Sequence, residues 1–193
     1  MLFVPLILVA IIIFYTWSTY NRFVSLKNRI KASVQEIGNQ LKRQADLIPS
    51  LTDSVKGYLK HEKEIFKQLT EARKTILEAT DKNDPQMMID ASTKAQRVLG
   101  EFRALAESTP QLRAVESVNK LMDELRDTAD KIMYARRTLI DLTADYNIMR
   151  ETFPSNIIAQ MFHFEPAKGL EVPAEEEFLT VSSQETKTPE VNL

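Results

Sequence analysis

An uncharged apolar run at the N-terminus constrains this chain more than any other feature. Residues 2–17 read LFVPLILVAIIIFYTW, and the first charged side chain is that of Arg22. Because about 20 such residues cross the ~30 Å hydrocarbon core of a bilayer, the run predicts a transmembrane helix over residues 1–20. The side chains predicted to face lipid are Leu2, Phe3, Val4, Leu6, Ile7, Leu8, Val9, Ile11, Ile12, Ile13, Phe14, Tyr15 and Trp17.

The alternative for such a run is a cleaved secretory signal peptide. A signal peptide starts with basic residues and has small residues before the cut. Here the apolar run starts at residue 2, and the bulky Tyr15, Trp17 and Tyr20 occupy the region of the cut. Aromatic side chains are instead typical of the membrane–water interface. We therefore interpret residues 1–20 as a retained anchor.

Four basic residues follow the anchor: Arg22, Lys27, Arg29 and Lys31. We call them the basic collar. Positively charged flanks are usually retained in the cytoplasm, so we expect a very short N-terminus outside and the bulk of the protein in the cytoplasm. The same residues are suited to anionic headgroups. Since this basic cluster adjoins the membrane, nucleic acid is not an expected partner.

Beyond the anchor, apolar residues recur at helical spacing in four successive stretches. The first is predicted to end at Pro49, and Ser50-Leu51-Thr52-Asp53 resembles a capping box that opens the second. Asp84-Pro85 opens the third, Ser108-Thr109-Pro110 separates it from the fourth, and Pro154 ends the fourth. With only four glycines in 193 residues, the pattern predicts an all-α fold: an antiparallel bundle of long, coiled-coil-like helices over residues 21–166.

The second stretch shows a heptad-like seam from Leu51 to Ala79 that includes Tyr58 and Glu62. A charged residue on a seam is normally paired. We therefore expect Glu62 to lie partly buried and to pair with Arg136 or Arg137 of the fourth helix.

Short connections require neighbouring helices to run antiparallel. The predicted helices measure about 43, 45, 36 and 65 Å at 1.5 Å per residue. At the same rise per residue, the two returning helices are together roughly 30 Å longer than the two outgoing ones and would overshoot the membrane surface. A bend, a tilt or a projecting tip is therefore needed. In each case the end of the fourth helix, Phe153, returns to the membrane-facing end.

The stretch that follows, FPSNIIAQMFHFEP, is too apolar for an ordinary loop and too short to cross a bilayer. We call residues 153–164 the docking segment, and its candidate contact residues are Phe153, Pro154, Ile157, Ile158, Met161, Phe162 and Phe164. Three destinations remain open: the base of the bundle, the headgroup region of the membrane, or a protein partner. We expect Phe162 and Phe164 to lie beside Phe23 or Leu26.

The residues do not favour an enzyme. The run HEKEI begins like the zinc-protease motif HExxH, but Ile65 occupies the position of the second histidine. The chain has no cysteine and only two histidines, and its glycines do not form a phosphate-binding loop. We therefore predict no catalytic residue, no metal site and no cofactor.

The C-terminal end, residues 167–193, is predicted to be a disordered acidic tail. Residues 165–193 carry seven acidic residues and two lysines. Prolines, serines and threonines accompany them, with too few apolar residues to build a core.

Four blocks in order resemble the LemA family of bacterial membrane-anchored proteins. They are YNRFVSLKNRI, QLKRQADLIPSLTDSVKGYLKHE, TADKIMYARRTLIDLTADYN and FPSNIIAQMFHFEP, within residues 1–166. Ser50 and Leu59 depart from the residues usual in that family. The resemblance implies a single-pass protein of the bacterial inner membrane with a long-helix bundle and no established catalytic activity.

Two functions follow as expectations. The first is a scaffold or adaptor whose partners are the lipid bilayer and another membrane protein. The second is a protein that shapes or senses the membrane through the docking segment. Association of several copies remains an open alternative.

Overall fold

The computed structural model describes residues 3–59 and 62–170 of the chain, and all of its regular elements there are helices. These are α1 (Phe3–Val55), α2 (Lys63–Lys82), α3 (Pro85–Ser108), α4 (Pro110–Arg113), α5 (Glu116–Glu151) and α6 (Ser155–Met161). The all-α prediction is confirmed: a long apolar N-terminal helix is followed by a helical bundle. The predicted tail beyond residue 170 lies outside the described residues.

Helix α1 continues through Pro49 to Val55, so the predicted helix end at Pro49 is wrong. Proline has no backbone N–H, and the carbonyl of Ala45 therefore loses its helical donor. Arg73 of α2 supplies a replacement, because its Nε–H donates to that carbonyl over 3.1 Å. Ser50 does not cap a new helix; it lies inside α1, where its carbonyl accepts a hydrogen bond from the Ser54 hydroxyl at 2.8 Å. A neighbouring helix thus makes the proline tolerable.

The chain reverses after Val55 instead of after Pro49. Tyr58 and Glu62 lie exposed at this reversal, and Glu62 is the N-cap residue of α2. The predicted seam is therefore divided between α1 and α2. The expected pairing of Glu62 with Arg136 or Arg137 is wrong, because the described residues show no such ion pair and both arginines lie well along α5 from this end.

Helices α1 and α5 form the long axis of the molecule. Arg43 contacts Glu124 at 3.5 Å, the Ser33 hydroxyl donates to the Ala135 carbonyl at 2.9 Å, and the rings of Phe23 and Tyr146 lie 5.6 Å apart. Residues that come later in α1 thus meet residues that come earlier in α5. The two helices are antiparallel along residues 19–55 of α1.

Helices α2 and α3 cover only the far part of this pair. They contain 20 and 24 residues and so run about 30 and 36 Å. Their connecting turn lies level with the buried Gly38 of α1, whose Cα faces the side chain of Met88 in the first turn of α3. We call the four-helix part the head and the part formed by residues 19–36 and 133–151 the stalk. The length mismatch noted above is resolved because the α2–α3 hairpin stops at the stalk.

Two hydrophobic clusters hold these parts together. The main core extends from Leu139 of α5 through the head to Leu59 and Leu112. A smaller cluster lies at the stalk's membrane-facing end and contains Phe23, Leu26, Leu142, Tyr146 and Ala159. The second cluster positions the docking segment.

Candidate membrane-interface site

Helix α6 folds against the base of the stalk. Ser155, Ile158 and Ala159 form its buried face. The Ser155 hydroxyl lies 2.6 Å from the carbonyl of Met149 and 2.8 Å from that of Thr152, where the last turn of α5 leaves carbonyls without helical donors. This contact joins the start of α6 to the end of α5.

Five aromatic rings surround the point where α1 leaves the apolar run. Phe164 stacks on Phe23 with ring centroids 4.6 Å apart, and Tyr146 meets Phe23 edge-on at 5.6 Å. Tyr20 contacts both Phe162, at 4.9 Å, and Phe164, at 5.6 Å. Such pairs add about 0.5–1.5 kcal/mol each beyond burial. Phe164 therefore has Phe23 as its neighbour, as expected, whereas Phe162 lies against Tyr20.

The chain after Phe164 is held by three side chains of α5 that the sequence analysis did not identify. The Tyr146 hydroxyl donates to the carbonyl of Glu165 at 2.9 Å, and Arg150 Nε donates to that of Phe164 at 3.1 Å. Asn147 bonds both backbone groups of Ala167, at 2.9 and 3.0 Å. Burial raises the pKa of Tyr146 above its usual 10.0; Arg150 opposes this shift and Glu165 adds to it.

The outer face of the docking segment is apolar and open. Phe153, Ile157, Met161 and Phe162 are between 45 and 75% exposed. Met161 and Phe162 also line a cleft of about 430 Å³ with Ile12, Ile13, Thr16, Trp17 and Tyr20 of α1. The segment therefore has two apolar faces: one packs on the stalk, and the other continues the surface of the apolar run.

The apolar run itself is exposed along its length. The side chains of Phe3, Val4, Leu6, Ile7, Leu8, Val9, Ile11, Ile12, Ile13, Phe14, Tyr15 and Trp17 all lie on its surface, and Leu2 is outside the described residues. It is the one helix in the described part of the chain that is long and apolar enough to cross a membrane. A core helix of a soluble protein with this composition would instead be mostly buried.

The basic collar lies on α1, beside and beyond these aromatic residues. Arg22, Lys27, Arg29 and Lys31 are all exposed, and none belongs to an ion pair within residues 3–59 and 62–170. Four unpaired positive charges thus lie along α1 from beside Phe23 to about 12 Å beyond it.

Metal ligands do not converge in this region. Residues 3–59 and 62–170 contain no group of three or more His, Asp or Glu side chains placed to hold a metal ion. His163 is exposed at the end of α6, and His61 lies outside the described residues. The site therefore offers apolar and basic surface.

Comparison with known proteins gives the same assignment as the residues. A search of curated proteins found no match. A family model for the LemA family matches residues 33–188. The match starts after the anchor and continues past residue 166, where the sequence analysis ended the family-like region. With 156 of 193 residues matched, this membrane-associated helical protein belongs to the LemA family.

Proposed function

We propose that this protein is a non-enzymatic, single-pass membrane protein whose cytoplasmic bundle acts as a scaffold or adaptor for another membrane protein. The observation that supports this most strongly is the continuity of α1. One helix of 53 residues contains the exposed apolar run, the stalk and the far end of the head. Because α1 has no break, it fixes the orientation of the head and its distance from the membrane.

The packing around Tyr20 supports retention of the anchor. Thr19 is buried, and Tyr20 contacts Phe162 and Phe164. Cleavage by a signal peptidase near these residues would cut a continuous helix where it packs against the docking segment. The end of the anchor, Thr19 and Tyr20, therefore also belongs to the packed base of the stalk.

The exposed basic collar supports an anchor in the bacterial inner membrane with the head on the cytoplasmic side. Positive residues next to a span favour the cytoplasmic side, and near an anionic surface each adds about 1 kcal/mol of attraction. The length of the molecule supports the adaptor role: from Thr19 to Val55 the stalk and head extend about 55 Å along α1. A head held at that distance is suited to present a surface to the cytoplasmic part of a neighbour.

Site-specific photocrosslinking in bacterial membranes tests this function. A photoreactive amino acid is placed at Thr70 or Ser117, both exposed on the head, and at Ile157 on the docking segment. We expect head positions to label one defined membrane protein and Ile157 to label lipid. Absence of protein adducts from both head positions contradicts the adaptor role.

A second function, shaping or sensing the membrane, is favoured by the open apolar face of the docking segment. An apolar helix face beside basic residues is the usual composition of interfacial membrane helices. Replacing Met161 and Phe162 with serine in a fragment starting at Thr19 should then abolish its binding to anionic vesicles. The matched control is Met133→Ser with Tyr134→Ser, which changes two exposed apolar side chains far from the base. Equal binding by both variants contradicts this second function.

A further inference from the structure

We propose that the chain's own C-terminal segment, residues 171–188, folds back along α5 and inserts Phe178 and Leu179 into a groove between α3 and α5. This inference is independent of the proposed function. It rests on the shape of the groove, on the path of residues 164–170, and on the charges of both partners.

The groove extends along the head between α3 and α5. Its far part is a cavity of about 440 Å³ with an apolar floor that includes Leu99, Leu112 and Met122. Its near part, about 260 Å³, is lined by Ile89 and Met133, among others. Gln96 and Ala129 line both parts, so the two form one continuous channel.

The last described residues run away from the membrane-facing end and along the molecule. Phe164 and Ala167 pack against the cluster at the membrane-facing end, whereas Leu170 packs against the main core. The chain is thus already moving away from the membrane along α5. Ala167 is fixed in this path by its two hydrogen bonds to Asn147.

One face of α5 connects the fixed point to the groove. Residues separated by seven, four or three positions share a helix face. The face contains Asn147, Ile140, Met133, Ala129, Arg126 and Met122. Met133 on this face is 63% exposed and lines the near part of the groove. A face that carries Ile140, Met133, Ala129 and Met122 among polar residues therefore leads from the Ala167 contact to the far cavity.

The lengths agree. Met122 lies 25 residues before Asn147 in α5, which is about 38 Å of helix. Phe178 lies 11 residues after Ala167, and an extended chain of that length spans about 36–40 Å. An extended segment therefore brings Phe178 level with Met122 and the far cavity. The family match continues to residue 188, so it includes this segment.

The acidic residues of the C-terminal segment are opposite in charge to arginines that line the groove. Glu175, Glu176 and Glu177 directly precede Phe178 and would lie level with Arg126 at the groove. The cavity lining contains three arginines, Arg103, Arg113 and Arg126, and two acidic residues, Glu107 and Asp123. Glu107 pairs with Arg103, and neither Arg113 nor Arg126 forms an ion pair within residues 3–59 and 62–170. Carboxylates before an aromatic–aliphatic pair match arginines beside an apolar floor.

Disulfide crosslinking in the full chain in detergent micelles tests the proposal, because the protein contains no cysteine. We expect Gly100→Cys with Phe178→Cys to form an intramolecular disulfide under mild oxidation; a Cβ at Gly100 meets no atom within 4 Å. The matched control is Thr70→Cys with Phe178→Cys, since Thr70 is exposed on α2 near the height of Gly100. Met122→Cys replaces Gly100→Cys if the latter does not fold.

Charge reversal provides the second readout. Arg126→Glu should reduce the disulfide yield several-fold, and Glu176→Arg in the same chain should restore it. Three results overturn the proposal: no disulfide with either groove cysteine, equal yields for the groove and Thr70 pairs, or disulfides mainly between two chains. The last result would assign the groove to a second copy.

Discussion

The hydrogen bond between Arg73 and the carbonyl of Ala45 allows a sharp test of why α1 passes through Pro49. Arg73→Leu removes the donor and keeps a shorter apolar side chain in place of the arginine's methylene groups. A hydrogen bond to a charged group contributes about 1.5–3 kcal/mol. Because Arg73 is only partly buried, water can replace part of this hydrogen bonding in the variant. We therefore expect the free energy of unfolding to fall by about 1–2 kcal/mol.

The second perturbation, Pro49→Ala, returns the missing N–H. Proline in a helix interior is about 3 kcal/mol less favourable than alanine. Since Arg73 already compensates for part of this cost, we expect Pro49→Ala to raise the free energy of unfolding by about 1–3 kcal/mol. In the Pro49→Ala chain, the Ala45 carbonyl has its own helical donor. Arg73→Leu should then cost under about 0.5 kcal/mol, as expected for a side chain without a specific role.

Urea unfolding of a fragment that starts at Thr19, followed by circular dichroism, measures the four free energies of this cycle. The fragment should be soluble, strongly helical and cooperative in its unfolding. We expect a coupling of about 1 kcal/mol or more, within the range for residues in contact. Arg97→Leu, an exposed arginine on α3, is the matched control. An Arg73→Leu cost that is the same in both backgrounds would refute the reasoning.

Three further outcomes are expected. Ile132→Ala should cost about 2–5 kcal/mol because Ile132 is 1% exposed, whereas Ile148→Ala, at 62% exposed on the same helix, should stay within about 0.5 kcal/mol; equal losses would contradict the assignment of the α5 faces. Because the pKa of Tyr146 is raised in the folded chain, its stabilising contribution should be complete below the unfolded value and decline as pH rises through the folded one; Tyr146→Phe should flatten that decline in urea midpoints measured above pH 9, and an unchanged slope would contradict it. A reporter active only in the cytoplasm should work when fused after residue 166, and activity of an export-dependent reporter there would reverse the orientation.

Periodicity was sufficient to predict the helical class, and local proline and capping signals predicted the turn between α2 and α3 and the break after α3. The predicted fourth helix is divided, because Ala114 and Val115 separate α4 from α5. Asp84 caps α3, its side chain accepting a hydrogen bond from the N–H of Met87, and Pro85 occupies the first turn. The break at Thr109-Pro110 is also present. These signals are local, because they depend on residues a few positions apart.

The end predicted at Pro49 failed because its compensation is not local. Arg73 lies 28 positions from Ala45, and no pattern around Pro49 indicates that such a donor will arrive. The same limit applies to the docking segment. Its apolar character was visible in the sequence, and antiparallel packing predicted that it lies at the membrane-facing end of the bundle. The ties from Tyr146, Asn147 and Arg150 depend on the path taken after Phe164, which the spacing of residues does not specify.

Fluorescence quenching by lipids brominated on their acyl chains tests most directly whether the anchor and the docking segment meet the membrane together. The full chain is reconstituted in vesicles, with its single tryptophan, Trp17, reporting the anchor. A fluorophore on Ile157→Cys reports the docking segment, and one on Ser117→Cys reports the far end of the head. We predict strong quenching at Trp17 and Ile157 and none at Ser117. Quenching at Trp17 with none at Ile157 would contradict a docking segment that rests on the bilayer, and no quenching at Trp17 would contradict the anchor itself.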